Sequence, residues 1–350
     1  MTVVSAPAPV QNRASHRTEL LRAAVSPTSL GFGAAAIGNL YSPVTEDGAA
    51  AAVDEALRRG IRYFDTAPFY GYGLSEERLG RALASASVPD VVVSTKVGRL
   101  IGDAHGDEAA GRGEGFAVAG RRADFDYSRD GILRSFESSL DRLRRTQVDI
   151  LLLHDIGSLT HGRRHPQILD QSLREALPAM AQLKEAGACK AIGIGVNEVA
   201  ACLEVMGRFD IDCILLAGRY TILDHLALTT LIPSAVERSV SLIVGGPFNS
   251  GLTADAAAPG ATFDYRPVDA AMLHRARQLY RVCGASEVDV GAAALQFVLA
   301  QPAVVSVVAG MRSPAEVASA VMRLDAQIPA TLWPALQEVG LVAKGAPTPC

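Results

Sequence analysis

From Ser29 onward the chain repeats one pattern: a short apolar run, then a longer stretch in which apolar residues recur at helical spacing. The short runs cover residues 30–33, 62–65, 91–96, 149–154, 191–196, 213–217, 242–245 and 304–309. Most are continuously apolar, the mark of strands buried on both faces of a parallel sheet. Between them lie amphipathic stretches at 47–59, 75–84, 128–144, 173–186, 198–206 and 229–238, then a pair at 269–282 and 288–300, and a last one at 314–323. Eight strand–helix units predict an α/β fold, a (β/α)8 TIM barrel in a single domain. An open doubly wound sheet would show the same alternation, so the count does not by itself separate the two.

Boundary signals support the helices. Ser313-Pro314-Ala315-Glu316 has the form of a capping box with proline at the first helical position. Ser75 followed by Glu76 and Glu77 reads as an N-cap with two acids in the first turn. Gly60 and Gly187 stand where helices would end. Residues 1–26 are Ala/Pro-rich and polar and read as a flexible leader, residues 27–343 as the barrel, and residues 344–350 as a flexible tail. Two loops are long, 99–127 and 155–170; both follow strands, so both are expected to lie over the C-terminal face of the barrel as lids. The second holds His161 and His165, with two arginines between them that would oppose a divalent ion. These histidines read as solvated loop residues, and no metal site is expected.

Composition narrows the picture. At 350 residues, 49% apolar and 5% aromatic, the chain is long enough for one large barrel with Ala- and Gly-rich helix packing. The net charge is −4 and no Lys/Arg cluster is long enough to track a phosphate backbone, so nucleic acid is not an expected partner. No apolar run approaches the roughly 18 residues of a membrane span, and the N-terminus lacks a signal-like apolar core. Five scattered cysteines, Cys189, Cys202, Cys213, Cys283 and Cys350, read as reduced thiols of a cytoplasmic protein. Nothing indicates an oligomeric state.

The candidate chemistry sits at strand ends. Asp65 ends the second run and Tyr70 follows it; Lys96 ends the third run and His154 the fourth. In a (β/α)8 barrel, catalytic groups collect at the C-terminal ends of several strands. A phenol with a pKa of about 10 is a poor acid or base at neutral pH. A neighbouring ammonium would stabilise its phenolate, an aspartate would keep that lysine charged, and a histidine could donate to a substrate oxygen. The four together would exchange a proton with an alcohol or carbonyl oxygen. Gly31 to Ala36 fits a GxGxxA spacing, but Gly38, Asn39 and Pro43 would break the helix that fingerprint needs, so a first barrel strand is expected there.

DTAPFYGYGLSEERLGRAL, STKVG and LLLHD, taken in order, resemble the aldo-keto reductase superfamily over about residues 30–323. The resemblance implies Tyr70 as general acid/base, Lys96 as its modulator, Asp65 as partner of Lys96 and His154 as the orienting donor. It implies that Asn197 binds the nicotinamide carboxamide. The stretch Phe248, Asn249, Ser250, Gly251 and Leu252 would form a pyrophosphate-binding loop, and Gly310, Arg312, Ser313 and Glu316 would meet the adenosine end. The lysine that many NADPH-dependent members carry after the last strand is missing, so the cofactor is NAD or NADP with a tilt towards NAD. FDYSRDGILRSFESSLDRLRRTQVDILLLHDIG and GPFNSGL resemble the sugar dehydrogenase branch, which includes L-fucose (D-threo-aldose) 1-dehydrogenases and pyridoxal 4-dehydrogenases. The implied reaction is hydride transfer from C1 of an aldose, giving the lactone. Alternatives within the resemblance are oxidation of pyridoxal to 4-pyridoxolactone, NADPH-dependent aldehyde reduction, and a non-catalytic cofactor-binding subunit. The expected partner is a small sugar, aldehyde or alcohol.

Overall fold

All eight apolar runs form strands: β1 (Leu30–Gly33), β2 (Tyr63–Asp65), β3 (Val92–Val97), β4 (Val148–His154), β5 (Cys189–Val196), β6 (Cys213–Ala217), β7 (Ser241–Gly245) and β8 (Val304–Gly310). Neighbours in sequence pair in parallel, and β8 returns to β1, closing the barrel. This is a computed structural model that describes residues 12–86, 88–105, 115–254, 262–263 and 266–349. The alternation within each strand divides the core. Tyr63, Ile150, Leu152, Ala191, Leu215, Ile243 and Val308 fill the barrel interior. Their neighbours Phe64, Leu151, Leu153, Ile192, Ile194, Leu216 and Val244 pack outward against the helices.

Register sets the active rim. Gly33 pairs with Asp65, Asp65 with Ser94, Lys96 with Leu152, and His154 with Gly195. Asp65, Lys96 and His154 thus fall at one end of three adjacent strands, and a one-residue slip of any of them would turn its side chain to the other face.

Three expectations need correction, and the loop 99–127 takes on a definite shape. From Asn12 onward the supposed leader is part of the fold. Leu20 and Val25 are buried against the interior cluster and close the far end of the barrel, the Leu20 amide bonding Val25 O. Residues 1–11 lie outside the described residues. The supposed tail is also held: Ala346 is buried with Leu341 and Val342, while Cys350 lies outside the described residues. Ser75 does not cap its helix, which already begins at Leu74. Its Oγ donates to Ala34 O at 2.8 Å and meets Thr66 Oγ1 at 2.8 Å, tying the turn after β2 to that after β1. The loop 99–127 contains an antiparallel hairpin, Arg99–Asp103 with Arg121–Phe125, and residues 106–114 within it lie outside the described residues.

Candidate active site

The turn after β2 is wound tightly enough to fix Tyr70. The amides of Tyr70, Tyr72, Gly73 and Ser75 bond the carbonyls of Ala67, Phe69, Pro68 and Tyr70. Gly71 sits at φ +62°, and a Cβ there would lie 2.3 Å from Gly38 O. Only glycine fits that approach, which presses the tyrosine turn against the β1 loop.

Behind Tyr70 lies a buried ion pair. Lys96 Nζ donates to both Asp65 oxygens, at 3.0 and 2.8 Å, and to Thr66 O at 2.9 Å. All three ammonium protons therefore have acceptors, which is what makes a buried lysine tolerable. Ser94 Oγ donates to Asp65 Oδ1 at 2.7 Å, and Tyr63 Oη lies 3.0 Å from Ser94 Oγ. Gly195 leaves room for the lysine stem, since a Cβ there would meet Lys96 Cε at 3.2 Å. The ammonium stands 4.6 Å from the Tyr70 ring centroid, and the His154 ring lies edge-on to the same ring at 6.0 Å. The four predicted side chains do converge.

Their electrostatics differ from the expectation in one respect. Burial, reinforced by the charges of Asp65 and Asp155, pushes the Tyr70 phenol well above its usual 10, and Arg99 opposes this only in part. Lys96, its ammonium bonded to Asp65 and Thr66, does not offset the rise. The phenol therefore keeps its proton at ordinary pH. Burial lowers His154 to about 3 in spite of Asp155 beside it, so the imidazole is neutral at ordinary pH. Its Nδ1 is buried without a partner among the described residues, and its Nε2 lies 3.4 Å from Asp155 Oδ2.

From Tyr70 a cleft of about 440 Å³ runs across the rim to the start of the helix Pro314–Asp325. Asp65, Tyr70, Asn197, Phe248, Asn249, Ser250, Gly251, Gly310, Arg312 and Glu316 line it, as the sequence led one to expect. Leu252 does not; its side chain is buried in the apolar core. Ser313 does not either: its Oγ accepts from the Glu316 amide at 3.3 Å and caps the helix. The loop after β7 is a run of left-handed residues, Gly246, Asn249, Ser250 and Gly251. It spends the amides of Asn249, Leu252, Thr253 and Ala254 on its own carbonyls, so the backbone donors it can offer are those of Phe248, Ser250 and Gly251. Both polar atoms of the buried Asn249 carboxamide lack partners among the described residues. A buried amide left open on a cleft wall suits a polar ligand such as a dinucleotide.

Several residues escaped sequence reasoning. Arg219 donates from Nε to Asn197 O at 2.8 Å and holds the turn that carries Asn197. Arg323 lines the cleft and donates to Ala254 O at 2.7 Å. Arg99 pairs with Asp155 beside the tetrad at 2.6 Å. His161, expected in solvent, is buried, with Nε2 3.0 Å from Tyr127 Oη and 2.9 Å from Asp155 O. His165 lies 3.0 Å from Ile156 O through Nδ1 and 3.0 Å from Glu204 through Nε2. Both imidazoles fasten the chain just after His154. The only sequence signal for them was their proximity to that histidine.

The aldo/keto reductase family profile matches residues 29–340. A pyridoxal 4-dehydrogenase of Microbacterium luteolum is 37% identical over 345 residues, covering 95% of this chain and 99% of its own. A D-threo-aldose 1-dehydrogenase of a Pseudomonas species is 36% identical, covering 92% and 95%. Among solved structures, an aldo-keto reductase from Bacillus halodurans superposes with a TM-score of 0.71 at 26% identity, covering 93% of this chain and 96% of its own. The chain belongs to the aldo/keto reductase family and is an oxidoreductase of the kind that works with a nicotinamide cofactor.

Proposed function

We propose that the enzyme oxidises the cyclic hemiacetal of an aldose of the L-fucose or D-threo-aldose type at C1, giving the lactone, with NAD as the preferred cofactor. The reading rests above all on the convergence of Tyr70, Lys96, Asp65 and His154 at one end of the cleft. A bound nicotinamide supplies the acceptor for the C1 hydride. Tyr70, as phenolate, takes the proton of the C1 hydroxyl. Lys96, 4.6 Å from the ring centroid, lessens the cost of forming that phenolate without bringing the phenol into the neutral range, and Asp65 holds the lysine in place. Neutral His154 donates from Nε2 to the reacting oxygen and fixes its direction.

The tilt towards NAD has a charge basis. At the far end of the cleft Arg312 Nε meets Glu316 Oε1 at 2.9 Å, and the Glu316 carboxylate also accepts the Arg312 amide. A carboxylate there accepts from ribose hydroxyls and opposes a 2′-phosphate. Arg323, the other arginine lining this end, is paired with Asp289 at 2.9 Å.

A second reading, oxidation of pyridoxal to 4-pyridoxolactone, is favoured by the near-equal identity to the pyridoxal 4-dehydrogenase. It uses the same proton transfer on another hemiacetal. The test is absorbance of reduced cofactor with NAD+ or NADP+ and a panel of L-fucose, D-arabinose, L-galactose, pyridoxal and pyridoxine. Sugar-dependent reduction that vanishes in Tyr70→Phe supports the first reading. Turnover of pyridoxal alone moves the assignment to the second, and no turnover of any of them overturns both.

A further inference from the structure

The turn after β4 carries a carboxylate that the tetrad does not account for. Asp155 follows His154 directly and stands at φ +50°, a left-handed conformation uncommon for a residue with a Cβ, though aspartate tolerates it better than most. Its surroundings hold it there. The Asp155 amide bonds Gly195 O, Tyr127 Oη donates to His154 O at 2.8 Å, and His161 Nε2 lies 2.9 Å from Asp155 O. The side chain is fixed as firmly as the backbone. Asp155 Oδ2 accepts from Arg99 Nη2 at 2.6 Å. The Arg99 guanidinium is clamped between two rings, its carbon 3.8 Å from the Phe69 centroid and 4.1 Å from that of Phe125. Yet the carboxylate is not used up. Its Oδ1 has no hydrogen-bond partner among the described residues, and the side chain keeps 21% of its surface exposed.

We propose that Asp155 recognises the hydroxyl on the carbon next to the one oxidised, and so selects neutral vicinal diols among hemiacetal substrates. The inference rests on the reading given under Proposed function, in which His154 Nε2 meets the reacting oxygen. Asp155 Oδ2 is 3.4 Å from that nitrogen. The two oxygens of a vicinal diol lie within hydrogen-bonding distance of each other, so a substrate held by His154 brings its second hydroxyl to Asp155. An ionised carboxylate only accepts, and a charge-assisted bond to it is roughly twice as strong as a neutral one. A substrate lacking the hydroxyl leaves the carboxylate unpaired and is rejected on that account. Phe69 and Phe116, edge-on at 5.3 Å with Phe116 also 6.2 Å from the Tyr70 ring, give an apolar wall against which the C–H face of a sugar ring can lie. Negative charge at this place also disfavours anionic substrates.

The experiment compares kcat/KM for an aldose the enzyme oxidises with that for its 2-deoxy counterpart. It uses the full chain as wild type and as the variants Asp155→Asn, Asp155→Ala and Arg99→Lys. The wild type should favour the parent sugar by on the order of tenfold to a hundredfold. The preference should fall part way in Asp155→Asn, which keeps an acceptor without its charge, and should vanish in Asp155→Ala, chiefly through KM of the parent. Arg99→Lys keeps the carboxylate but loosens its hold, so it should weaken the preference even if an Asp155 variant fails to fold. Equal losses on both sugars would reduce Asp155 to a support for His154 and overturn the proposal, as would a wild type indifferent to the hydroxyl. A wild type that oxidises no aldose at all would instead overturn the reading on which the proposal rests.

Discussion

The cleft has an ion pair at each end, and the two do opposite kinds of work. At one end Lys96 and Asp65 are 1% and 4% exposed; at the other Arg312 and Glu316 are 45% and 40% exposed. The first pair belongs to the barrel wall: strand residues, every ammonium proton bonded, Ser94 and Tyr63 behind the carboxylate. The second stands at the entry to the last barrel helix, where water screens it. A buried pair holds the chemistry in shape; an exposed pair contributes little to stability but sets the charge a ligand meets.

Tyr70→Phe tests the buried end most severely. Removing the hydroxyl should lower the oxidation rate by about a thousandfold or more, with an unchanged melting temperature, as steady-state kinetics and calorimetry can show. A loss under tenfold would place the proton transfer elsewhere. The same residue dictates a pH profile. Its phenol is held well above 10, and the proposed oxidation needs the phenolate, so log kcat/KM for oxidation should climb by about one per pH unit from roughly pH 7 to 10. The reverse reaction uses the phenol, already fully populated, and should be nearly flat. His154, at about 3, is neutral throughout that range and should contribute no limb. A plateau in the oxidation profile near neutrality would mean that the phenol titrates far lower than burial dictates.

Breaking the buried pair from one side is costlier than removing it. Lys96→Met leaves Asp65 as a buried, uncompensated charge and should cost about 3–5 kcal/mol of unfolding free energy by urea titration. Lys96→Met combined with Asp65→Asn should recover part of that loss. A double variant no more stable than the single one would show that the pair is not coupled as the distances imply.

The two ends also differ in how legible they were in sequence. Asp65, Lys96 and His154 could be read because each ends an apolar run, and a barrel gathers strand ends whatever the loops do. The other end depends on loop backbone. Leu252 looked like part of a binding loop and is core, because the left-handed residues before it turn the chain inward. Residues 12–26 carry no periodicity. They fold because Arg13 reaches the Asp325 carboxylate with its amide and Gln296 with its guanidinium, while Leu20 and Val25 plug the barrel. Partners some 300 positions away leave no local trace. Asp155 and His161 were hidden for the same reason: the fixed turn they share exists only once Tyr127 and Gly195 are in place.

The exposed pair gives the smallest effect and the sharpest discrimination between the two ends. Glu316→Gln removes the carboxylate that a 2′-phosphate would face and releases Arg312 to meet it. The Kd for NADP+ should fall by about tenfold, roughly 1.4 kcal/mol, while that for NAD+ changes little or weakens slightly. Calorimetric titration reads this without turnover, and the gain should shrink with added salt because both groups are open to solvent. Stability should shift by no more than about 0.5 kcal/mol, as is usual for exposed substitutions. Unchanged NADP+ binding would mean that Arg323 or the helix start sets the preference, and the far end would then owe its selectivity to shape and not to charge.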